Sequence, residues 1–173
     1  YIHVGGDECY KGFWKNDPGC QALMKKLGTH HVEDLQGYFM GRLDNMLAAK
    51  GKKLLGWDEI LEGGISPGAT VMSWRGIKGG IEAAEMGHDV VMTPTTFAYI
   101  DYTQGDPTVD PRIYARLRCK TSYNYEPVPD GVDAKHILGG QGNLWTEQIP
   151  NLRYAYYMTY PRAWALSEVF WSQ

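Results

Sequence analysis

The chain has 173 residues, a net charge of -3 and an apolar fraction of 43%, which suits one domain with a buried core. No basic block offers an electrostatic footprint for nucleic acid. No apolar run approaches the ~20 residues needed to span a bilayer.

The first strand-like run is Tyr1 to Val4, closed by Gly5-Gly6. A loop containing Gly12, Pro18 and Gly19 is expected next. Leu35, Phe39, Leu43 and Leu47 then repeat at helical spacing, and the helix stops near Lys50-Gly51. Strands are expected over 53–57 and 70–74, a helix over Ile77 to Met86, and a strand over 89–92. A Pro-, Gly- and Asp-rich stretch from Thr93 to Asp133 is too long for a simple connector and reads as a functional excursion. The last strand is Ile137 to Gln141. The last helix spans roughly Tyr154 to Phe170, with Pro161 near a bend or a start. Strand and helix alternate, which is the pattern of βαβ units and a parallel sheet. No Gly-rich phosphate loop follows any strand.

Three cysteines, Cys9, Cys20 and Cys119, form neither a CxxC pair nor a zinc-ligand pattern. They read as buried or half-exposed thiols, with a Cys9–Cys20 bridge left open. The chain opens on an apolar run without an initiator Met. It therefore reads as a piece of a longer protein, with any targeting segment upstream. Tyr (12) and Trp (6) outnumber Phe (4). Such amphipathic rings suit a surface that stacks on a ligand and hydrogen-bonds to it, and equally suit the rim of an ordinary core.

The polar residues are the more telling feature. Asp7-Glu8, Trp57-Asp58-Glu59, Trp74-Arg75 and Gln141 to Glu147 all fall at or just past the C-terminal end of a strand. In a β/α barrel that face carries the chemistry. Two adjacent carboxylates, Asp7 and Glu8, leave the first strand through two glycines, which allow a sharp turn and close approach of a ligand. Adjacent side chains diverge, so the pair is ill placed to flank one glycosidic bond. It suits a division of labour in which one carboxyl protonates a leaving group and its neighbour steadies a group on the substrate. Taken alone, Asp7 reads equally as a helix cap and Glu8 as a solvated side chain.

His3-Val4-Gly5-Gly6-Asp7-Glu8 resembles the H-x-G-G-D-E signature of the family 20 glycoside hydrolases, the β-N-acetylhexosaminidases. Further matches run in the family's order: Gly56-Trp57-Asp58-Glu59, Ser73-Trp74-Arg75, Tyr99-Ile100-Asp101, and Asn143-Leu144-Trp145-Thr146-Glu147. The resemblance implies an α/β fold, a (β/α)8 TIM barrel of which about strands 4 to 8 with their helices are present. It implies removal of a terminal β-linked GlcNAc or GalNAc with retention, the substrate's own 2-acetamido group acting as nucleophile. By position, Glu8 becomes the general acid/base and Asp7 the residue that orients the acetamido group. Trp57, Trp74 and Trp145 wall the pocket, Tyr99 binds the acetamido oxygen, and Asp101 and Glu147 hold sugar hydroxyls. His3 supports the pair, and Glu8 is expected to be buried beside Asp7. Asp58, Glu59 and Arg75 read as a salt-bridge set, and Tyr102, Tyr123 and Tyr125 as a possible extension of the sugar platform. His30-His31, His88 and His136 read as surface residues.

The resemblance implies no metal and no organic cofactor, and an extracytoplasmic location. Three barrel strands and a preceding small α/β domain find no match, nor do the family's sugar-gripping Arg and a His near its carboxylates. Residues 1–173 are thus expected to be a partial barrel domain, completed by self-association or by a partner fragment. Two other readings stand beside this one. The first is a carbohydrate-binding remnant without turnover. The second is a metal-dependent hydrolase with His3, Asp7 and Glu8 as ligands, against which no second His stands at metal-like spacing on a strand end.

Overall fold

The computed structural model describes residues 1–110 and 113–172. Five strands, β1 (Ile2–His3), β2 (Leu54–Trp57), β3 (Thr70–Ser73), β4 (Val90–Met92) and β5 (Ile137–Gly140), form one sheet in chain order. Every neighbouring pair is parallel. The order never reverses, as when strands run round a barrel; a doubly wound sheet reverses at its switch point. Each expected strand is present, shorter by one residue at one end or both. β1 and β5 pair on one side only.

The segment read as a loop around Gly12 and Pro18 is instead two helices, α1 (Gly12–Asn16) and α2 (Pro18–Leu27). Asp17 caps α2, its carboxylate accepting the Cys20 N–H at 2.7 Å, and Pro18 takes the first helical position. A missing N–H costs nothing there. Helix α3 (Glu33–Ala48) carries Glu33 and Asp34 in its first turn, where the helix dipole favours negative charge. Its buried stripe is Leu35, Gln36, Met40 and Asp44, whereas Phe39 is 56% exposed. A strict four-residue step drifts round a 3.6-residue helix. Of the buried polar groups, Gln36 Nε2 donates to the Gly6 carbonyl at 2.7 Å while its Oε1 has no partner, and the Ser66 hydroxyl donates to Asp44.

Helix α4 (Lys78–Glu85) lies on β3 and β4 through Gly80, Ala83 and Ala84. A Cβ on Gly80 would stand 2.5 Å from Met92 Sδ, so a larger residue would lift the helix off the sheet. The core under it, Leu54, Val71, Ala83, Val90 and Met92, is fully buried, in keeping with strands covered on both faces.

The connection from β4 to β5 contains α5 (Thr95–Ala98) and α6 (Cys119–Tyr123) and is tied by bridges Tyr99–Asn143 and Thr103–Arg116. Residues 111–112 of that stretch lie outside the described residues. The expected last helix is two, α7 (Leu152–Thr159) and α8 (Arg162–Ser172), separated at Tyr160-Pro161. His88 is buried rather than on the surface, its Nδ1 lying 3.0 Å from the Ala69 carbonyl. One such partner is what allows a ring nitrogen to be buried. All three cysteines are free, so the Cys9–Cys20 bridge does not form. Among the described residues no helix is long and apolar enough to cross a membrane.

Candidate active site

One cavity of about 320 Å³ opens at the C-terminal ends of the strands, lined by Asp7, Glu8, Trp57, Trp74, Tyr99, Asp101, Tyr102, Tyr114, Trp145 and Glu147. The residues named from sequence as catalytic or substrate-binding thus converge on one space. His3 lies beside it, its ring edge-on to Trp57 at 4.8 Å.

The carboxylate pair sits at the turn after β1. Gly5 and Gly6 have φ of +75° and +106°. A Cβ on Gly6 would come 2.7 Å from Ile60, so both conformation and space require glycine there. Glu8 itself has φ +49°. A non-glycine residue in that region costs free energy and is often found where a side chain must be aimed. Asp7 and Glu8 are exposed, against the expectation that Glu8 is buried; among the described residues β1 is paired on one side only. His3 Nδ1 accepts the Gly5 N–H at 3.1 Å. Burial lowers the His3 pKa, and the nearby Asp7 opposes that shift. Among the described residues no three His, Cys, Asp or Glu side chains cluster as a metal's ligands would.

Four rings form a box. Trp57 meets Trp74 edge-on at 6.5 Å and Trp145 at 5.9 Å; Tyr99 stacks on Trp74 at 6.2 Å and tilts against Trp145 at 6.2 Å. Burial pushes the Tyr99 phenol well up, so it stays a neutral donor at any ordinary pH. Behind the box lies the salt-bridge set. Asp58 accepts Trp74 N–H at 2.9 Å, Arg75 N–H at 3.1 Å and Arg75 Nε at 2.5 Å. Arg75 Nη1 reaches Glu62 at 3.0 Å, and Lys11 reaches Glu62 at 3.2 Å. Glu59 touches no cavity space. Its carboxylate accepts the Trp74 indole N–H at 2.9 Å and the Glu8 backbone N–H at 3.3 Å. Burial raises the Glu59 pKa, against the pull of the Trp74 bond and of Arg75. Glu59 therefore holds the backbone at Glu8 and one wall of the box together.

On the opposite side Asp101 is 3% exposed and its Oδ1 has no hydrogen-bond partner. Burial, helped by the like charge of Glu147, pushes its pKa up to about 6, while backbone N–H groups and Arg162 pull it down. A buried oxygen without a partner is costly and marks the residue as one held for a purpose other than stability. Of the tyrosines suggested as a platform, Tyr102 lines the cavity. Tyr123 is turned away to Glu168 and Tyr125 is in the core, stacked on Phe97. Tyr114, which the sequence did not single out, stands at the cavity rim, 70% exposed and 6.3 Å from Tyr102. Nothing in its Pro-rich surroundings marked it.

Glycosyl hydrolase family 20, catalytic domain, matches residues 1–173. The chain belongs to glycosyl hydrolase family 20. It is 46% identical to a β-hexosaminidase of Porphyromonas gingivalis over 99% of its own length and 23% of that relative's. It is 35% identical to a β-hexosaminidase of Vibrio furnissii over 96% of its length and 28% of that relative's. Its fold superposes on a family 20 exo-β-N-acetylglucosaminidase of Vibrio harveyi, solved with N-acetylglucosamine, with a TM-score of 0.90 and 36% identity. That match covers 100% of this chain and 28% of the Vibrio protein. The five strands are accordingly an arc of the family's β/α barrel, and the chain spans about a quarter of the length of these relatives.

Proposed function

We propose that these residues carry the catalytic side of a retaining exo-β-N-acetylhexosaminidase that releases terminal β-linked GlcNAc or GalNAc from an oligosaccharide or glycoconjugate. The observation that carries this reading is the facing of the Asp7–Glu8 pair with a closed aromatic box, both lining one cavity. An acetamido methyl is apolar and its amide is polar. A box of Trp57, Trp74 and Trp145 with a Tyr99 hydroxyl suits both ends.

In this reading Glu8 donates a proton to the glycosidic oxygen as the bond to C1 breaks. The substrate's acetamido oxygen attacks C1 and forms an oxazolinium ion, whose positive nitrogen Asp7 stabilises. Glu8 then removes a proton from water, which opens the ring at C1 and restores the acetamido group with net retention. A nucleophile carried by the substrate has a high effective concentration, and the scheme needs no metal or organic cofactor. Asp101 and Glu147 accept sugar hydroxyls. Tyr102 and Tyr114 carry ring surface outward, toward whatever is attached to the terminal sugar.

The partial barrel is part of the proposal. Residues 1–173 supply the carboxylate pair and the box, and further strands, from the same polypeptide or a second copy, cover the β1 side. The exposure of Asp7 and Glu8 favours a second reading for this chain by itself, in which it binds the sugar without turning it over.

Hydrolysis of a chromogenic β-GlcNAc glycoside, against the matching β-glucoside that lacks the acetamido group, tests both. Cleavage of the first alone, lost in Glu8→Gln, is expected of the protein expressed from its complete reading frame. Equal cleavage of the two glycosides rules out substrate assistance. Binding without cleavage by residues 1–173 supports the second reading for that piece.

A further inference from the structure

Arg162, at the start of α8, is the largest side chain among the described residues with no solvent exposure at all. Among the described ion pairs none involves it. Its partners are four main-chain carbonyls: Nη1 donates to Tyr102 at 2.7 Å and Leu117 at 3.1 Å, and Nη2 to Ile100 at 2.5 Å and Met158 at 2.6 Å. Nε has no partner. Burial draws its pKa down to about 10, so it remains charged at neutral pH.

Burying a guanidinium with no directly paired carboxylate is costly even with Asp101 and Asp110 near enough to favour its charge, and a methionine or leucine would fill the space more cheaply. What only a planar fork with several donors can do is hold carbonyls from separate segments in one plane. Two of those carbonyls, Ile100 and Tyr102, stand immediately before and after Asp101. The segment has little regular structure of its own to fix it, being held by single bonds such as Ile100 N–H to the Asn143 carbonyl at 2.8 Å and Thr103 N–H to the Ala115 carbonyl at 3.0 Å. The carboxylate of Asp101 has one oxygen with no bond to anchor it. The carboxylate takes bonds from its own N–H and that of Trp145, and where it meets them depends on the backbone on either side.

We propose that Arg162 is a positioning residue for the sugar-binding wall: by clamping the carbonyls on both sides of Asp101 it fixes where that carboxylate enters the cavity. The proposal rests on the hydrolase reading for its activity readout, and on geometry alone for its backbone readout.

The test is a double-mutant cycle in the protein expressed from its complete reading frame, using Arg162→Lys, Asp101→Asn and the pair. Lysine keeps the charge and loses the fork. Arg162→Lys is expected to raise KM more than it lowers kcat and to cut kcat/KM roughly 10- to 100-fold, the scale of a displaced binding group. In the Asp101→Asn background the further loss should shrink to less than about twofold. An equal loss in both backgrounds, or none in either, overturns the proposal. Amide exchange in the unaltered protein gives an independent arm if the variant does not fold or the glycoside is not cleaved. Amides of 100–103 should open together with those of α8. Exchange of 100–103 at a distinctly lower opening free energy than α8 overturns the clamp.

Discussion

The two acidic walls of the cavity are built in opposite ways. Asp7 and Glu8 sit on an edge strand, exposed, at a turn where Glu8 takes a left-handed backbone. Asp101 sits in the connection from β4 to β5, beside the Tyr99–Asn143 bridge, almost wholly buried, with one oxygen unpartnered. In the proposed function the first wall is the one that further strands complete, so its exposure belongs to residues 1–173 taken by themselves. The second wall is already dry, and in the proposed role of a sugar grip each hydrogen bond Asp101 makes with a ligand is worth more there. The strain is stored in the backbone on the first wall and in an unsatisfied carboxylate on the second.

The sharpest way to break that comparison is at Glu8. Glu8→Gln should lower kcat by about 10²- to 10⁴-fold while leaving the thermal midpoint unchanged. Glu8→Gly should be as inactive yet more stable by roughly 1 kcal/mol, because glycine accepts the left-handed backbone freely. Chemical denaturation reads the second effect, and a destabilised glycine variant would show that the turn is not strained.

Asp101 carries the next largest effect. Its folded pKa of about 6 lies above the ordinary 3.8, so the folded state holds the proton more tightly. Stability therefore falls as pH rises from about 4 to about 6 and stays reduced above that. Asp101→Asn removes this penalty. It should lose activity and yet be about 1–3 kcal/mol more stable than the unaltered protein at pH 7, with the gap closing by pH 4. Urea titrations at the two pH values decide it; a gap that widens toward pH 4 would mean the carboxylate is stabilised in the folded state.

A smaller change is expected at the joint between the walls. Trp74→Phe removes the indole N–H that Glu59 accepts. It should cost about 1–3 kcal/mol of stability and raise KM for the β-GlcNAc glycoside. The smallest effect belongs to Tyr114, whose exposure predicts a stability change within about 0.5 kcal/mol. Tyr114→Ala should weaken binding of a disaccharide glycoside by a few-fold, about 0.5–1.5 kcal/mol for a lost ring contact, and leave the monosaccharide glycoside unaffected.

The strands were legible because Leu54-Leu55-Gly56-Trp57 and Thr70-Val71-Met72-Ser73 are short buried runs, each ending in a cluster of polar or aromatic residues. The cavity residues were legible because a barrel puts strand ends on one face. α1 and α2 are masked in the sequence by glycines that resemble loop punctuation, although Asp17-Pro18 carries a helix-start signal. Phe39 falls off the buried stripe because a four-residue step drifts round the helix. Arg162 and Tyr114 have no local signature, and Glu59, read from sequence as part of a salt-bridge set, has none for its bonds to the Trp74 indole and the Glu8 backbone. Their positions depend on which carbonyls, indoles and rings a long irregular connection brings to them, and no spacing along the chain records that. The exposure of Asp7 and Glu8 likewise follows from the edge position of β1, not from its residues.

The unreversed strand order has a consequence for how such a cavity diversifies. Each wall is written on its own stretch of chain: the acid pair in residues 7–8, the box in Trp57, Trp74, Tyr99 and Trp145 at or past the ends of β2, β3, β4 and β5, and the rim in Tyr102 and Tyr114. On the proposed function, insertions or exchanges in the rim segment alter what is accepted beyond the terminal sugar while the turn at Asp7 and Glu8, some ninety residues earlier in the chain, keeps its sequence. A randomised library confined to residues 104–116 would therefore be expected to yield changed preferences far more often than dead proteins.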